Sequence, residues 1–358
     1  MATGSGPHLP PLRGIRDSCL RLWRALGWAN ADSSFRVHAL AIGILVTYLG
    51  IARIAWDATP LWVPAYTFRI VVLSLWVPAM ALGWALWCYR SAWGKGASLF
   101  CQTYLSPGAL LSVLVGAVII SHTMIAHDLW KQMIGSGTPY TWDYRLATFD
   151  RTIHFGVDPW RLLLPLTRNA AITSALDAFY VGWYLATAAF ISWILWTQDH
   201  HLRARVLLAW VLAWLSIGTV AAHLFASGGP FAYGRLVGGE DPFQGLMTNL
   251  SSIDQSHPLI ALDLQARVWE NIAAGGGDRW YGMSAMPSLH VGGAVVVALA
   301  LRTVSPLVAA LGWASVVLVL VGSVALGWHY AIDGYAGATM AVAIWWLTGK
   351  ATAPRTTS

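Results

Sequence analysis

Hydrophobic residues in this chain come in long unbroken runs separated by polar stretches. Runs of roughly 20 apolar residues, the length an α-helix needs to cross the ~30 Å hydrocarbon core of a bilayer, fall near 37–56, 69–88, 107–127, 176–197, 205–226, 287–303, 307–326 and 329–348. The pattern predicts an all-α fold, a polytopic membrane helical bundle of about eight transmembrane helices. Two of the intervening segments, 128–175 and 227–284, are long and rich in Gly, Pro, Asp and aromatics. Segments of that kind suit a lid or a substrate platform.

Lys and Arg in short loops give the orientation, because cytoplasmic loops are enriched in them. They occur in alternate segments: the basic N-terminal stretch (Arg13, Arg16, Arg21, Arg24, Arg36), Arg90 with Lys95, Arg203 with Arg205, Arg302, and then Lys350 and Arg355. The 57–68 loop has neither residue type. N and C termini are therefore expected in the cytoplasm, with 128–175 and 227–284 on the other side. Within the first of these, 143–164 mixes Asp143, Arg145, Asp150, Arg151, His154, Asp158 and Arg161 with Leu, Phe and Trp. It reads as an amphipathic helix in the interface or as a solvated loop with short helices.

Composition agrees with a membrane location. Hydrophobic residues make up 57% of the chain and charged residues only 11%, against about 25% charged in soluble domains. The 22 tryptophans suit a protein that meets two lipid–water interfaces, where an indole keeps its ring in hydrocarbon and its N–H near water. The net charge of +6 fits cytoplasmic loops facing anionic lipid, and no basic tract is long enough for nucleic acid. No short apolar core with a small-residue cleavage site follows the basic N-terminal stretch, so the first run is expected to stay as a span. Cys19, Cys88 and Cys101 all map to the cytoplasmic side, where thiols stay reduced. No internal repeat, Walker loop or dinucleotide fingerprint is present.

Two stretches carry candidate chemistry: Ser284-Ala285-Met286-Pro287-Ser288-Leu289-His290 and Gly327-Trp328-His329-Tyr330-Ala331-Ile332-Asp333-Gly334. Each places a histidine at the start of a hydrophobic run, and the topology derived from loop charges puts both on one membrane face. His329 and Asp333 are spaced i, i+4, on one face of a helix. A carboxylate there can take a proton from one imidazole nitrogen and leave the other free as nucleophile or base. An aspartate so close to hydrocarbon is costly unless paired, and His329 is the obvious partner. Pro287 suits a first helical turn, where free backbone N–H groups favour a phosphate. Ser288 and His290 project from that turn.

These motifs, MPSLH followed by HYAID and a glycine, resemble the second and third motifs of the type 2 phosphatidic acid phosphatase superfamily. The wording SAMPSLH and GWHYAIDGYAG is more similar to the branch that includes the inositol phosphorylceramide synthases, as is the Ser-x-Gly-Pro stretch within 223–236. The resemblance covers about 176–348. It implies that His329 attacks phosphorus to form a phosphohistidine while Asp333 orients it, and that His290 protonates the departing alcohol and then activates water or an acceptor hydroxyl. No metal or other cofactor is implied. The chain then divides into a cytoplasmic segment (1–36), accessory transmembrane helices (37–127), the extracytoplasmic amphipathic segment (128–175) and a phosphatidic acid phosphatase-like catalytic core (176–350).

Two departures accompany the resemblance. The first motif, Lys-x6-Arg-Pro, is not found, and Ser323 stands six residues before His329, where the third motif would place an arginine. Phosphoryl transfer needs cations or N–H donors around the phosphate oxygens. Arg235 and Arg279 are the expected phosphate-binding residues beside Ser288, with Arg267 and Lys131 behind them. His122, His127 and His223 lie near outer helix ends as a polar cluster, expected to make structural hydrogen bonds.

The expectation is a lipid phosphatase or head-group phosphotransferase, a multi-pass integral protein of the plasma or inner membrane with its active site on the non-cytoplasmic side. Its substrate is then a lipid phosphate or phospholipid, with no nucleic-acid partner, and the oligomeric state stays open. Two other readings compete. A transporter or flippase of an amphiphile would use the His/Asp set as a proton relay, and an inactive homologue would serve as a scaffold. The absence of a repeat and the intact His/His/Asp set weigh against them.

Overall fold

The computed structural model describes residues 41–46, 50, 63–90, 92–135, 137–275 and 282–352. Among them there is no β-strand, only an isolated bridge between Ile134 and Thr138. The helices of nine residues or more are α1 (Val63–Ser74), α2 (Trp76–Cys88), α3 (Trp93–Tyr104), α4 (Pro107–Lys131), α5 (Asp143–Ile153), α6 (Pro159–Thr167) and α7 (Ala170–Trp196). They continue with α8 (His200–Leu224), α9 (Gln244–Asp254), α10 (Ile260–Ala273), α11 (Leu289–Leu301), α12 (Pro306–Ala325) and α13 (Ala331–Thr352). Five stretches are long and apolar enough to cross a membrane: Ala65–Cys88, Pro107–Lys131, Ala170–Trp196, His200–Leu224 and Pro306–Ala325.

Local chemistry explains most boundaries. Ser106, Asn169, Asp199 and Ser305 each accept a backbone N–H of the following turn, satisfying one of the donors a helix start leaves over. Pro107 and Pro306 occupy the first positions of their helices, where the missing N–H costs nothing. The break between α1 and α2 falls four residues before Pro78, whose ring crowds the carbonyl at that distance. The Ser74 hydroxyl there donates to Val71 O and accepts from Trp196 Nε1 at 2.8 Å. In α8 the helix widens into a π turn over Ser216–Ala221.

Three of the eight predicted spans are not among these five. The first, 37–56, lies largely outside the described residues. The sixth, 287–303, is the 13-residue α11, about 20 Å long at ~1.5 Å per residue and too short to cross the hydrocarbon alone. Its residues Val291–Ala300 are all buried. Neighbours come from α8 at Ile217 and Trp214, from α13 at Gly337 and from α12 at Gly312, so α11 is the central helix of the bundle and needs no lipid-facing length. The eighth, 329–348, is α13, which has 22 residues but dilutes its apolar character with Asp333, threonines and glycines.

Arg203, one of the charges expected in a cytoplasmic loop, is instead only 2% exposed. Its guanidinium donates to Leu195 O and Thr197 O and meets His200 Nδ1 at 2.6 Å, closing the carbonyl end of α7.

The crossing of α13 over the start of α11 is close enough to exclude a side chain. A Cβ on Gly337 would lie 2.2 Å from Ser288 O, whereas a Cβ on Gly83 in α2 meets nothing within 4 Å. Gly337→Ala is expected to lower stability by about 1–3 kcal/mol through overpacking, and Gly83→Ala to raise it by about 0.5–1 kcal/mol through helix propensity. Thermal unfolding in detergent checks the contrast, and equal melting temperatures for the two variants would refute it.

Candidate active site

Three segments distant in sequence are knitted together at one end of the bundle. The Ser227-Gly228-Gly229-Pro230 loop follows α8, Ser284–Ser288 leads into α11, and Gly327–Tyr330 leads into α13. Ala285 N donates to Ser227 O, Met286 N to Ser227 Oγ, Phe231 N to Gly327 O, and Ser288 N to the Asp333 backbone carbonyl at 2.9 Å. Gly229 has φ +82°, and a Cβ there would come 2.5 Å from Trp328 O, so both its backbone conformation and its surroundings demand glycine.

This knitting places His329 between two partners. Its Nδ1 lies 3.3 Å from Asp333 Oδ2, and its Nε2 lies 3.3 Å from Ser288 Oγ. Asp333 Oδ2 also accepts the Tyr330 N–H at 3.0 Å. Asp333 and Ser288 are fully buried and His329 is 6% exposed. Ser288 is the N-cap of α11, taking the Val291 N–H. Pro287, expected in the first helical turn, sits ahead of that cap across a cis peptide bond from Met286, and His290 becomes the second residue of the helix. The His290 ring is held between Tyr180 and Tyr184 of α7, each with its ring centre 5.1 Å away. Its Nε2 has no hydrogen-bond partner among the described residues.

The turn that carries His329 is gripped from α5. Asp150 accepts the Ala331 and Ile332 N–H groups, both at 3.0 Å, and so caps α13 in trans. Asp143 accepts the Gly228 and Gly229 N–H groups at 2.9 Å and the Tyr330 hydroxyl at 2.8 Å, tying the Gly-Gly-Pro loop to the residue after His329. His154 adds a third tie, with Nδ1 at 2.7 Å from Asp150 O and Nε2 at 3.0 Å from the Tyr335 hydroxyl of α13. Asp143 and Asp150 are 2% and 3% exposed. Burial pushes both carboxyls above the usual carboxylate range, and the amide N–H groups they accept pull the other way. The segment expected as an interfacial amphipathic helix or a solvated loop thus also supplies the carboxylates that hold the His329 turn.

The expected phosphate-binding residues separate. Ser288 touches His329. Arg235 is exposed, with its guanidinium 4.7 Å above the Trp269 ring, and Arg267 pairs with Asp263 at 3.8 Å. Arg279 lies outside the described residues. Lys131, at the end of α4, is the cation that interacts electrostatically with His290. Its surroundings reopen the first motif: Lys131, Thr138 and Pro139 read Lys-x6-Thr-Pro, keeping the lysine and the proline with threonine in place of arginine. Ser323, where an arginine was expected, is fully buried and offers its carbonyl to Trp328 N and His329 N at 3.0 and 3.1 Å. Among the described residues no group of three or more His, Cys, Asp or Glu is placed to hold a metal ion.

A helical membrane protein with a His–Asp pair, a second histidine at a neighbouring helix start and a lysine that interacts electrostatically with it has the parts of a phosphoryl-transfer enzyme. Residues 144–347 match the model of the PAP2 superfamily, whose members are phosphatases and phosphotransferases. The chain belongs to that superfamily. No curated protein and no solved structure matches it.

Removing the Asp150 carboxylate leaves two buried N–H groups unpaired, a cost of about 1–3 kcal/mol. Where that loss falls on the placement of His329, Asp150→Ala lowers kcat roughly 5- to 100-fold, and Asp150→Asn, which keeps one acceptor oxygen, loses less. Steady-state kinetics on a lipid phosphate check this; equal kcat for wild type and Asp150→Ala would show that the cap does not position the histidine.

Proposed function

We propose that the protein is a membrane-embedded lipid phosphatase or phosphotransferase that works through a phosphohistidine on His329. The observation that carries this reading is the polarity of the His329 ring. Asp333 takes the Nδ1 side, so that nitrogen bears the proton and Nε2 keeps its lone pair toward Ser288 at the start of α11. A phosphate entering there meets the N-terminal N–H groups of α11, the Ser288 hydroxyl and the Lys131 ammonium, all of which favour negative charge.

The steps follow from the positions. His329 Nε2 forms a bond to phosphorus as the bond to the alcohol oxygen breaks, and the neighbouring His290 gives that oxygen a proton. In the second half His290 takes a proton back from the incoming hydroxyl, whose oxygen replaces His329 on phosphorus. His290 is flanked by the Tyr180 and Tyr184 rings, and its Nε2 has no hydrogen-bond partner among the described residues. Asp333 stabilises the imidazolium character that develops on His329.

The motif end faces the non-cytoplasmic side on this reading, as the distribution of Lys and Arg in the loops requires. The similarity of SAMPSLH and GWHYAIDGYAG to the inositol phosphorylceramide synthase branch favours transfer to an alcohol over hydrolysis. The donor is a lipid-linked phosphate or phosphorylated head group, reached from the bilayer.

The test is chemical trapping. Purified protein incubated with a lipid carrying radiolabelled phosphorus at the phosphate, then denatured in alkali, is expected to retain a base-stable, acid-labile label. His329→Ala abolishes it, and His290→Ala retains it while turnover falls about 10²- to 10⁴-fold. A label of unchanged amount on folded His329→Ala would sink the reading.

A further inference from the structure

Beside His290 lies a second cluster of imidazoles that the phosphoryl chemistry leaves unused. Three elements converge there: the end of α4 with His127, Trp130 and Lys131, the π turn of α8 with His223 just beyond it, and the start of α11. A Cβ on Gly218, inside the π turn, would come 2.9 Å from the Leu289 side chain and 3.1 Å from His127 Nδ1. Lys131 interacts electrostatically with both His127 and His290, and His127 with His223. Trp130 stands edge-on to His223, with ring centres 5.7 Å apart. The cluster therefore borders the start of α11, where Leu289 and the His127 ring both close on Gly218.

The hydrogen bonds of His223 define what it can bind. Its Nδ1 lies 2.8 Å from Thr219 O. A carbonyl only accepts, so Nδ1 carries the proton and Nε2 of the neutral ring is a bare acceptor. That atom is buried and has no hydrogen-bond partner among the described residues, and the same holds for His127 Nδ1. A buried acceptor left unpaired costs about 1–3 kcal/mol, and an O–H donor satisfies it where a phosphate oxygen, itself an acceptor, does not. The π turn accounts for the placement: such turns re-aim side chains and recur at functional sites.

We propose that the His127–His223 cluster binds the acceptor of the transfer reaction, and that this acceptor is a polyol. The proposal rests on the phosphohistidine reading above. One hydroxyl of the polyol reacts: its proton passes to His290, its oxygen bonds to phosphorus, and the bond from phosphorus to His329 Nε2 breaks. A second hydroxyl donates to His223 Nε2. A mono-alcohol supplies only the first of these contacts. Both a soluble polyol and a lipid bearing a vicinal diol have the required chemistry.

Purified full-length protein in detergent, given phosphatidic acid as donor, tests this with glycerol, 1-monoacylglycerol and dodecanol as acceptors, scoring phosphorylated acceptor and inorganic phosphate together. Glycerol or 1-monoacylglycerol is expected to be phosphorylated in preference to dodecanol, and whichever is preferred identifies a soluble or a lipid-borne polyol. His223→Ala then lowers the ratio of phosphorylated polyol to inorganic phosphate about tenfold, the worth of one hydrogen bond, and raises KM for the polyol. His223→Gln, which returns an acceptor oxygen, recovers most of the ratio. Dodecanol used as well as the polyols, or an unchanged ratio in His223→Ala, overturns the proposal. Absence of both products together with absence of the His329 label is a different outcome, in which the phosphohistidine reading falls and the acceptor site with it.

Discussion

A backbone turn inside an apolar bundle has no water to satisfy its N–H groups, and this protein meets that constraint with buried aspartates that each accept two consecutive amides. Asp143 holds Gly228 and Gly229, Asp150 holds Ala331 and Ile332, and Asp177 holds Ile260 and Ala261 at 2.7 and 2.9 Å. In every case the carboxylate comes from a helix other than the segment it holds. The irregular chain around His329 and the start of α10 thereby become as determined as a helix interior. Without those acceptors, the loops that bring the three motifs together would carry unpaired donors in a low-dielectric surrounding.

Placing carboxylates so near a phosphate site looks unfavourable, and the geometry removes much of the conflict. The Asp143 and Asp150 oxygens are occupied by N–H and O–H donors. Asp333 is turned to His329 Nδ1 and Tyr330 N. On the proposed reading the phosphate meets the start of α11, the Ser288 hydroxyl and Lys131. Recognition there, on that reading, uses backbone donors and the Lys131 ammonium, in a chain that has Thr138 and Ser323 where its superfamily pattern has arginines. His290 is flanked by Tyr180 and Tyr184, and among the described residues its Nε2 has no competing partner.

Much of the helical framework was legible in the chain, because run length, Ser/Asn/Asp caps and first-turn prolines are local signals. The His329–Asp333 pair was legible for the same reason, since an i, i+4 spacing sets two side chains on one helix face wherever the helix lies. Other features were not. Asp143 and Asp150 read as polar positions of an interfacial segment, since their partners lie 85 to 187 residues away. Lys131 is followed by Thr138 and Pro139 where the superfamily pattern has Arg-Pro, so the local pattern does not single it out, and Arg203 reads as a loop charge although its guanidinium turns inward onto carbonyls.

By itself, then, the sequence determined that this is a helical membrane protein with a His/His/Asp set in the order its superfamily uses, because hydrophobic run length and short-range spacing act within one helix. The tertiary structure decided which carboxylates hold the His329 turn, which rings flank His290, and that α11 is an encased central helix too short to span alone. Those outcomes depend on which surfaces meet once the helices pack, and no local pattern in the chain encodes that.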